Sequence, residues 1–327
     1  MIDEEARPGS ASGEGAPAVT VRNLSKRFGE RLAVDDVTFE VGRGEVFGLR
    51  GPNGAGKTTT VRALGTLIAP TTGSVEIVGI PLAPQSGVEI RRRIAVMPES
   101  PGLYLRLSVR ENLELFADLY EVPTPRARID AALSAMGLPD RADDPCGTLS
   151  KGLRERTAMA RALLSDPEVL FLDEPTAGLD PVAALEVQAL IVGLRQRGVT
   201  TVMTTHRLDE AERICDRVAI LNTTLRSIGR PDELRDRLFA RSLAVRTAAA
   251  LHEPERVFGG LAGVDGWRQD GPAAYVLTVS DPEDAAPGVT RALVGAGADV
   301  LSISETRHSL EDVHLELVDE ASEVART

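Results

Sequence analysis

Apolar and polar residues alternate with a period of two near the start of the chain. The segments "AVTVRNLSKRF", from Ala18, and "AVDDVTFEV", from Ala33, therefore predict two antiparallel strands. Three shorter runs predict buried strands: "EVFGLR" leads directly into a glycine loop, and "PEVLFLDE" and "VTTVMTTH" are compact runs typical of strands buried on both faces of a parallel sheet. A helical pattern over about 182–197 separates the last two runs, so they form a predicted βαβ unit.

Helical periodicity covers much of the chain between these strands. In "KTTTVRALGTLI" one face of a predicted helix carries four apolar residues: Val61, Leu64, Leu67 and Ile68. Residues from about 87 to 165 are predicted to be mostly helical, with breaks at Pro and Gly. We therefore predict that residues 18–240 form an α/β domain with an antiparallel β edge and a helical insert.

A different order of elements begins near Arg241. Strand patterns in "SLAVRT", "AYVLTVS" and "DVLSISE" are interleaved with helical patterns in "EPERVFGGL" and "GVTRALVGAG", and "VDGWRQ" reads as a strand or a turn. This β-α-β-β-α-β order suggests a small ferredoxin-like α+β domain over 241–320, whose final helix is "SLEDVHLELV". Residues 321–327 are interpreted as a polar tail.

Composition limits the class of protein. A length of 327 residues favours two domains, and a net charge of -12 with a pI near 5.0 argues against a nucleic-acid partner. Two cysteines cannot form a disulfide framework and favour a reducing cytoplasm. Residues 1–17 lack the basic start and apolar stretch of a signal peptide and are interpreted as a disordered tail, and no run of 18 apolar residues predicts a membrane span.

The segment "GPNGAGKT" (Gly51–Thr58) matches the P-loop pattern and lies between a predicted strand and a predicted helix. Its glycines allow backbone N–H groups to curl around phosphates without Cβ clashes. Lys57 provides a cation for the β- and γ-phosphates, and the Thr58 hydroxyl is a hard oxygen ligand for Mg²⁺. A glycine-rich turn is the structural alternative, but the flanking strand and helix favour nucleotide binding.

Two other predicted strands end in residues that suit phosphate chemistry. Asp173 follows an apolar strand and is a candidate Mg²⁺ ligand, and Glu174 is placed to orient or deprotonate a water that attacks the γ-phosphate. Such an acidic pair alone is more often an exposed strand end or a helix cap, but a P-loop in the same chain reverses this preference. His206 ends the next strand and is a candidate γ-phosphate donor, although a lone histidine there is usually structural.

A second anion-binding position is predicted in "TLSKGLRERTAMARALL", which begins at Thr148. The segment reads as a small turn that opens an amphipathic helix. Ser150 and Gly152 fall at the helix start, where backbone N–H groups lack intrahelical partners. The P-loop already provides a phosphate site almost a hundred residues earlier, so the pattern leaves open which phosphate this helix start would bind.

In this order and spacing, "GPNGAGKTTT", "LSKGL", "VLFLDEPTAGLDP" and "TTH" resemble the nucleotide-binding subunit of ABC transporters over about residues 18–235. The resemblance implies a P-loop NTPase cassette with a RecA-like core, and ATP and Mg²⁺ as ligands. It further implies two subunits stacked head to tail, in which the "LSKGL" signature of one chain contacts the ATP of the other. An adenine contact from Phe28, a general base at Glu174 and a switch histidine at His206 are implied as well.

The residues expected to form the site fall into three groups. The nucleotide-binding group is Phe28, Gly51, Pro52, Asn53, Gly54, Ala55, Gly56, Lys57, Thr58, Thr59, Ser150, Gly152 and Asp180. The catalytic group is Glu174, His206 and Lys57, and the metal-binding group is Thr58, Asp173 and Glu99. Asp180 belongs to the loop that communicates across the dimer in the family.

Two departures from the family pattern affect these expectations. The signature usually has a glycine and a glutamine where this chain has Lys151 and Leu153. The glutamine of the family's Q-loop aligns with Glu99 in "VMPESPGLY", and a carboxylate can ligate Mg²⁺ but cannot donate a hydrogen bond. We therefore expect Glu99 to affect coupling to the permease more than ATP binding itself.

The segments "SLEDVHLELV" and "MPESPGLYLRLSVRENLELFADLY" resemble ATPase subunits of bacterial drug, polysaccharide or lipid exporters of the daunorubicin-resistance type. This implies an ATP-hydrolysing motor at the inner face of the cell membrane, with a separate integral-membrane permease and a second ATP-binding subunit as partners. An importer ATPase, a soluble ABC protein acting on ribosomes or DNA, and a binding-only pseudo-ATPase are the alternatives. The C-terminal domain is either a passive dimer-stabilising domain or a regulatory one, and the sequence does not specify the transported substrate.

Overall fold

A computed structural model of the chain describes residues 15–238 and 241–306. The chain divides into two compact units between Ile228 and Gly229, whereas the sequence places the boundary after residue 240. The final helix predicted in "SLEDVHLELV", the polar tail 321–327 and most of the N-terminal tail lie outside the described residues.

The first unit interleaves strands and helices along the chain. Its elements are β1 (Val19–Phe28), β2 (Arg31–Val41), β3 (Val46–Arg50), α1 (Lys57–Leu64), β4 (Thr72–Ile77), β5 (Ile80–Pro81), α2 (Gly87–Arg91), β6 (Ile94–Met97), α3 (Val109–Leu119), α4 (Pro125–Ala135), α5 (Lys151–Ala162), β7 (Val169–Asp173), α6 (Pro181–Gln196), β8 (Thr200–Thr205), α7 (Leu208–Ile214), β9 (Arg217–Asn222) and β10 (Thr224–Gly229).

Strands β1, β2, β4 and β5 form an antiparallel sheet in the order β2-β1-β4-β5. Val19 of β1 pairs with Val41 of β2 on one side and with Ile77 of β4 on the other, and all three side chains are buried. The period of two in the sequence therefore predicted the antiparallel edge correctly, because one face of these strands is packed against the core.

The second sheet of this unit has the order β10-β9-β3-β8-β7-β6. Strand β3 pairs in parallel with β8 and β9, and β7 pairs in parallel with β6 and β8. Every residue of β3, β7 and β8 is buried, which explains the mainly apolar sequences of β3 and β7; β8 buries four threonines as well as Val202 and Met203. Because the strands are parallel, the carboxyl ends of β3, β7 and β8 meet at one edge of the sheet, where ligands of α/β folds usually bind.

Two predictions for this unit were wrong in detail. Helix α1 ends at Leu64, so the predicted apolar face does not extend to Leu67, which is 59% exposed, or to Ile68. Gly65 follows the helix and lies against Val96, where a Cβ would approach a methyl group to 2.7 Å. The region predicted to be mostly helical also contains β6, a four-residue edge strand that depends on its pairing with β7.

The second unit contains α8 (Pro231–Leu238), β11 (Ser242–Thr247), α9 (Pro254–Phe258), β12 (Val264–Gln269), β13 (Ala274–Val279), α10 (Pro282–Gly295) and β14 (Val300–Thr306). Its antiparallel sheet has the order β12-β13-β11-β14, with β11 and β13 in the centre. From β11 onward, the β-α-β-β-α-β order and this arrangement are those of a ferredoxin-like unit, as the sequence predicted.

The two helices α9 and α10 pack on the core of the second unit. Phe258 of α9 and Tyr275 of β13 are both fully buried, with ring centroids 5.4 Å apart. Helix α10 begins earlier than "GVTRALVGAG" predicts, because the Asp281 carboxylate accepts hydrogen bonds from the N–H groups of Glu283 and Asp284 and so caps a helix start at Pro282. Among residues 15–238 and 241–306, none of the helices has the length and apolar character that crossing a membrane requires.

Candidate active site

The P-loop connects the carboxyl end of β3 to α1, and steric contacts explain two of its glycines. A Cβ on Gly51 would lie 2.2 Å from the Leu221 carbonyl oxygen. Gly56 has a φ of +97°, and a Cβ there would lie 2.5 Å from the Ala33 carbonyl oxygen. The loop is therefore pressed against neighbouring backbone, and only glycine fits at these two positions.

Helix α1 begins with a buried cation. Gly56 is the N-cap residue and provides no side-chain cap, so the first N–H groups of α1 are available to an anion. The Lys57 ammonium is 7% exposed and donates to the carbonyl oxygens of Gly51 and Pro52, at 2.7 and 3.2 Å. Burial lowers the pKa of Lys57, whereas Glu174, whose Oε1 lies 3.8 Å from Nζ, raises it.

The two predicted magnesium ligands on the P-loop and β7 are adjacent. Thr58 Oγ1 donates to Asp173 Oδ1 over 3.0 Å. Thr204 Oγ1, near the end of β8, donates to the same carboxylate oxygen over 2.7 Å. Asp173 is therefore held between α1 and β8, and its carboxylate and the Thr58 hydroxyl together present hard oxygen atoms of the kind that Mg²⁺ prefers.

Glu174 and His206 also meet at this edge of the sheet. His206 Nδ1 lies 2.7 Å from Glu174 Oε2. The Glu174 side chain is 14% exposed and that of His206 is 56% exposed, so the pair extends from the interior towards solvent. Glu174 has a φ of +51°, and its N–H donates to Thr204 Oγ1 over 2.9 Å, which fixes this left-handed backbone. Arg50 donates to the His206 carbonyl oxygen over 2.6 Å.

A cavity of about 510 Å³ joins these groups. Its lining consists of Phe28, Arg31, Ala33, every residue from Pro52 to Thr59, Glu99, Glu174, Ala177 and His206. Phe28 is 49% exposed and presents an aromatic surface at the cavity, and the Lys26 ammonium lies over its ring, 5.0 Å from the centroid. The structure thus brings the adenine, P-loop, base and histidine candidates to one cavity.

Arg31 is a cavity residue that the sequence reasoning missed. It opens β2, and its guanidinium lies close to the P-loop, since a Cβ on Gly54 would be 3.5 Å from one of its nitrogens. A cation three residues after Phe28 and beside a phosphate-binding loop suits the negative charge of a nucleotide. The only sequence signal was its position between two predicted strands, next to the candidate adenine contact.

The signature residues are not part of this cavity lining. Ser150 is the N-cap of α5, and its hydroxyl accepts from the Leu153 N–H over 3.3 Å. The Lys151 ammonium donates to the Ala177 carbonyl oxygen in the loop after Glu174. A Cβ on Gly152 would lie 2.9 Å from the Ala183 Cβ, so α5 packs closely on α6.

Asp180 likewise lies outside the cavity lining and begins α6. Its Oδ1 accepts from the N–H groups of Val182 and Ala183, at 3.1 and 3.0 Å. This is a regular N-cap, with Pro181 at the first helical position. Ser150 and Asp180 are therefore exposed at the starts of α5 and α6, whereas Gly152 is buried against α6, and all three are held by local contacts.

A P-loop at the end of a central parallel strand, an acidic pair on the next strand but one and a histidine on the strand between them define an ATP-binding cassette of the P-loop NTPase class. The chain belongs to the ABC transporter family of ATP-binding subunits, whose members hydrolyse ATP to drive transport. Residues 34–177 match the ABC transporter family itself. This confirms the family, the fold class and the ATPase activity that the sequence predicted.

Two relatives illustrate the similarity. The chain is 35% identical over 306 residues to daunorubicin resistance ATP-binding protein DrrA3 of Streptomyces coeruleorubidus, covering 92% of this chain and 95% of that protein. It is 40% identical over 233 residues to Nod factor export ATP-binding protein I of Ralstonia nicotianae, covering 70% of this chain and 72% of that protein. The first similarity extends across both units.

Solved structures resemble the cassette. CbiO1 of Clostridium perfringens, part of the ABC transporter complex cbiONQ, is 29% identical with a TM-score of 0.63, over 67% of this chain and 90% of that chain. The dimeric, post-hydrolysis structure of the ATP-binding cassette MJ0796 with ADP and Pi is 28% identical with a TM-score of 0.58, over 65% of this chain and 98% of that chain. Cassettes of this family bind ATP and act as dimers with a membrane permease.

Proposed function

We propose that this chain is the ATP-hydrolysing motor of an exporter and that it drives a separate membrane permease at the inner face of the cell membrane. The observation that carries the catalytic part is the 2.7 Å contact between Glu174 and His206 in the cavity that the P-loop lines. The names of the two relatives above, a drug-resistance protein and an export protein, support the direction of transport.

Nucleotide binding follows from the cavity lining. The exposed Phe28 ring stacks on adenine, while the P-loop N–H groups and the start of α1 bind the phosphates. Lys57 exchanges its two carbonyl partners for phosphate oxygens when the nucleotide enters, because an ammonium binds an anion more strongly than a neutral carbonyl. Arg31 adds a second positive charge at the cavity wall.

The residues near Asp173 fit a magnesium ion. Mg²⁺ in nucleotide sites is held by one or two protein oxygens together with waters and phosphate oxygens. The oxygens that would hold it are the Thr58 hydroxyl, the Asp173 carboxylate that this hydroxyl contacts, and the Glu99 carboxylate, which lines the cavity together with Thr58. The ion would supply charge neutralisation at the β- and γ-phosphates.

Hydrolysis depends on the Glu174–His206 pair. Glu174 accepts a proton from the water that attacks the γ-phosphate, and its carboxylate is oriented for this by its backbone and by His206. His206 is held by Arg50 through its carbonyl group, so its imidazole can contact both Glu174 and the γ-phosphate. The Lys57 ammonium lies 3.8 Å from Glu174 Oε1, on the side of the carboxylate away from the Oε2 that contacts His206.

In this proposal the second phosphate-binding position, at the start of α5, contacts the ATP that a second copy of the cassette binds. Ser150, Gly152 and Asp180 do not line the cavity of their own chain, and the start of α5 is nevertheless exposed at Ser150 and Lys151. A head-to-tail dimer would place this surface against the partner's ATP. Two subunits with mutual contacts of this kind form a closed two-fold assembly.

A groove of about 750 Å³ on the first unit suits the permease. Its lining includes Leu67, Val88, Leu119 and Tyr120, all of which are at least 48% exposed, and it also contains arginines of α2 and α4. Contiguous exposed apolar residues with a charged rim are typical of protein–protein contacts. The groove lies between the strand that precedes Glu99 and the helical insert, so permease contact and the nucleotide cavity share one connecting segment.

The proposal can be tested by purifying the tagged chain from membranes under mild detergent and identifying the integral-membrane protein that accompanies it. The complex should hydrolyse ATP, and inside-out vesicles should accumulate the exported compound only when ATP is supplied outside. A complex with Glu174→Gln should assemble but hydrolyse ATP about 10²–10⁴-fold more slowly, and its transport should fall with hydrolysis. Accumulation in right-side-out vesicles would indicate an importer, and a chain that never accompanies a membrane protein would contradict the transport role.

A further inference from the structure

The loop after Glu174 and the strand that ends before His206 both donate hydrogen bonds to one buried carboxylate, which has no role in the proposed hydrolysis step. Glu210, in the first turn of α7, is fully buried. Its Oε1 accepts from Thr176 Oγ1 over 2.7 Å, and its Oε2 accepts from Thr205 Oγ1 over 2.6 Å. The two oxygens of one side chain therefore join two segments that are 29 positions apart along the chain, from Thr176 to Thr205.

The two threonines are close in sequence to the proposed base and its histidine partner. Thr176 lies two residues after Glu174, and Thr205 is directly before His206. The base and its histidine partner are themselves only 2.7 Å apart, so a small displacement of either loop would break their contact. Both loops are fixed on opposite oxygens of the same carboxylate.

The chemistry of the contact is directional. An ionised carboxylate only accepts hydrogen bonds, so both threonine hydroxyls must donate to it. Thr205 Oγ1 then accepts from the Arg207 N–H over 3.0 Å, which ties the residue after His206 into the same arrangement. Burial raises the pKa of Glu210, whereas the hydrogen bonds from Thr205 and Thr176 lower it, so the two threonines stabilise the charged form.

We propose that Glu210 is a positioning residue for ATP hydrolysis: by holding Thr176 and Thr205 together, it sets the distance between the Glu174 carboxylate and the His206 imidazole. Glu210 does not touch the nucleotide cavity and is not among its lining residues. The inference rests on the proposed roles of Glu174 and His206. In this inference the distance between Glu174 and His206 depends on the buried Glu210 side chain and not only on the contact between the two residues themselves.

The test compares Glu210→Ala, Glu210→Gln and Thr176→Val in the full chain by steady-state ATPase kinetics. Glu210→Ala should lower kcat about 10- to 100-fold, because a displacement near 1 Å can cost about 10²-fold in rate. KM for ATP should change less than about threefold, because the phosphate contacts come from other residues. Glu210→Gln should recover most of the loss, since its amide can accept from one threonine and donate to the other.

Double substitution distinguishes a shared contact from two separate ones. Thr176→Val should lower kcat in the wild-type background but have little further effect in Glu210→Ala, because both remove the same hydrogen bond. Equal fold-losses in the two backgrounds would overturn the proposal. Where Glu210→Ala fails to fold, the single variants Thr176→Val and Thr205→Val replace it: each should lower kcat with little change in KM for ATP, and full kcat in both would overturn the proposal.

A control for stability comes from the second unit. Thr247 is buried, and its hydroxyl donates to the Ala249 carbonyl oxygen over 2.7 Å. Thr247→Val should lower the unfolding midpoint, because it removes a buried hydrogen bond, and it should leave kcat unchanged. If Glu210→Ala lowers only the unfolding midpoint and its folded fraction keeps the wild-type kcat, Glu210 is merely structural.

The proposal can fail separately from the proposed function. If Glu174→Gln abolishes hydrolysis while Glu210→Ala and Thr176→Val retain full kcat, the catalytic assignment stands and the positioning role is wrong. If Glu174→Gln itself retains full kcat, the assignment of the base is wrong, and the geometry that Glu210 sets has no catalytic role.

Discussion

The P-loop and the signature both place a short loop before the start of a helix, yet the two helix starts differ in what they leave open. Helix α1 has Gly56 at its N-cap and no side-chain cap, and it faces a cavity. Helix α5 has Ser150 at its N-cap, and the serine hydroxyl already accepts from Leu153. The first helix start is part of a site within the chain, whereas the second belongs to a surface.

The ionisable groups buried nearest to the two helix starts differ as well. Helix α1 buries the cation of Lys57, and α5 buries the carboxylic acid of Glu155, which is 2% exposed and has no hydrogen-bond partner for Oε1. Burial raises the pKa of Glu155 to about 7, and only the charge of Lys151 opposes this rise. The two helix starts have similar loop-to-helix sequences, but only the start of α1 adjoins a cavity within the chain and carries a buried lysine paired with a carboxylate. The surrounding sheet, and not the local sequence alone, therefore determines which helix start forms a phosphate site within the chain.

The largest expected effect is at the cavity. Glu174→Gln should lower kcat by about 10²–10⁴-fold, because it removes a positioned general base. ATP binding should persist, and the ATP-bound protein should accumulate as a dimer, which gel filtration or light scattering can measure. A dimer that forms equally well without ATP, or with Ser150→Ala added, would contradict the assignment of the α5 start to a partner's nucleotide.

The next effect separates the two helix starts by ATP affinity. Lys57→Ala should weaken ATP binding to the isolated chain by about 1.5–3 kcal/mol, the contribution of a hydrogen bond to a charged group. Lys151→Ala is the matched control, because its ammonium also donates to a carbonyl group but lies at the signature. Calorimetry should give a wild-type Kd for this control. Similar losses in both variants would remove the distinction between the helix starts.

A third prediction asks whether the α5 start acts across a dimer. Lys57→Ala and Ser150→Ala homodimers should both be impaired. In an equal mixture, half of the dimers combine the two chains and each contains one intact site, so up to about one quarter of the wild-type ATPase should return.

Mixing two batches of the same variant is the control for this rescue. A return of activity in the mixed sample alone supports the shared site. No activity will return if both sites of a dimer must act together. In that case the ATP-dependent dimerisation of Glu174→Gln, with and without Ser150→Ala, tests the shared site instead.

The smallest expected change in activity is at Glu155. Its raised pKa means that the folded state holds a proton more tightly than the unfolded state, so the stability from this group is full below about pH 4.5 and is lost as the pH rises through about 7. Glu155→Gln should therefore become more stable than wild type by about 1–3 kcal/mol between pH 5 and pH 8. Denaturant unfolding at the two pH values measures this, with the exposed Glu114→Gln as a control that should show no such trend.

Much of the site could be predicted from sequence because its parts are local. A buried strand followed by a glycine-rich loop and a helix defines the P-loop without reference to the rest of the chain. Asp173 and Glu174 were found in the same way, since an apolar strand that ends in two acids is visible in six letters. The geometry that joins them, such as the Thr58–Asp173 hydrogen bond, follows from parallel strands that share one edge.

The remaining elements depend on contacts between distant segments. Strand β6 has four residues and exists because β7 pairs with it, so no periodicity could develop. Strands β9 and β10 were not assigned for a similar reason, because β9 becomes a strand beside β3 and β10 becomes one beside β9. Glu210 reads as one acid among several on a short polar helix, and only the approach of Thr176 and Thr205 distinguishes it from a solvated surface residue.

The strand order of the parallel sheet has a consequence for synthesis on the ribosome. Strand β3 lies between β8 and β9, but β8 begins at Thr200, 150 residues after Arg50 ends β3. At about 5–20 residues per second, translation needs roughly 8–30 s to supply the first of these neighbours. The antiparallel sheet, whose strands are all complete by Pro81, can assemble long before. The strand that leads into the P-loop therefore emerges early with both edges unpaired, and for almost half of translation it is an apolar segment that a chaperone could bind rather than the centre of a nucleotide site.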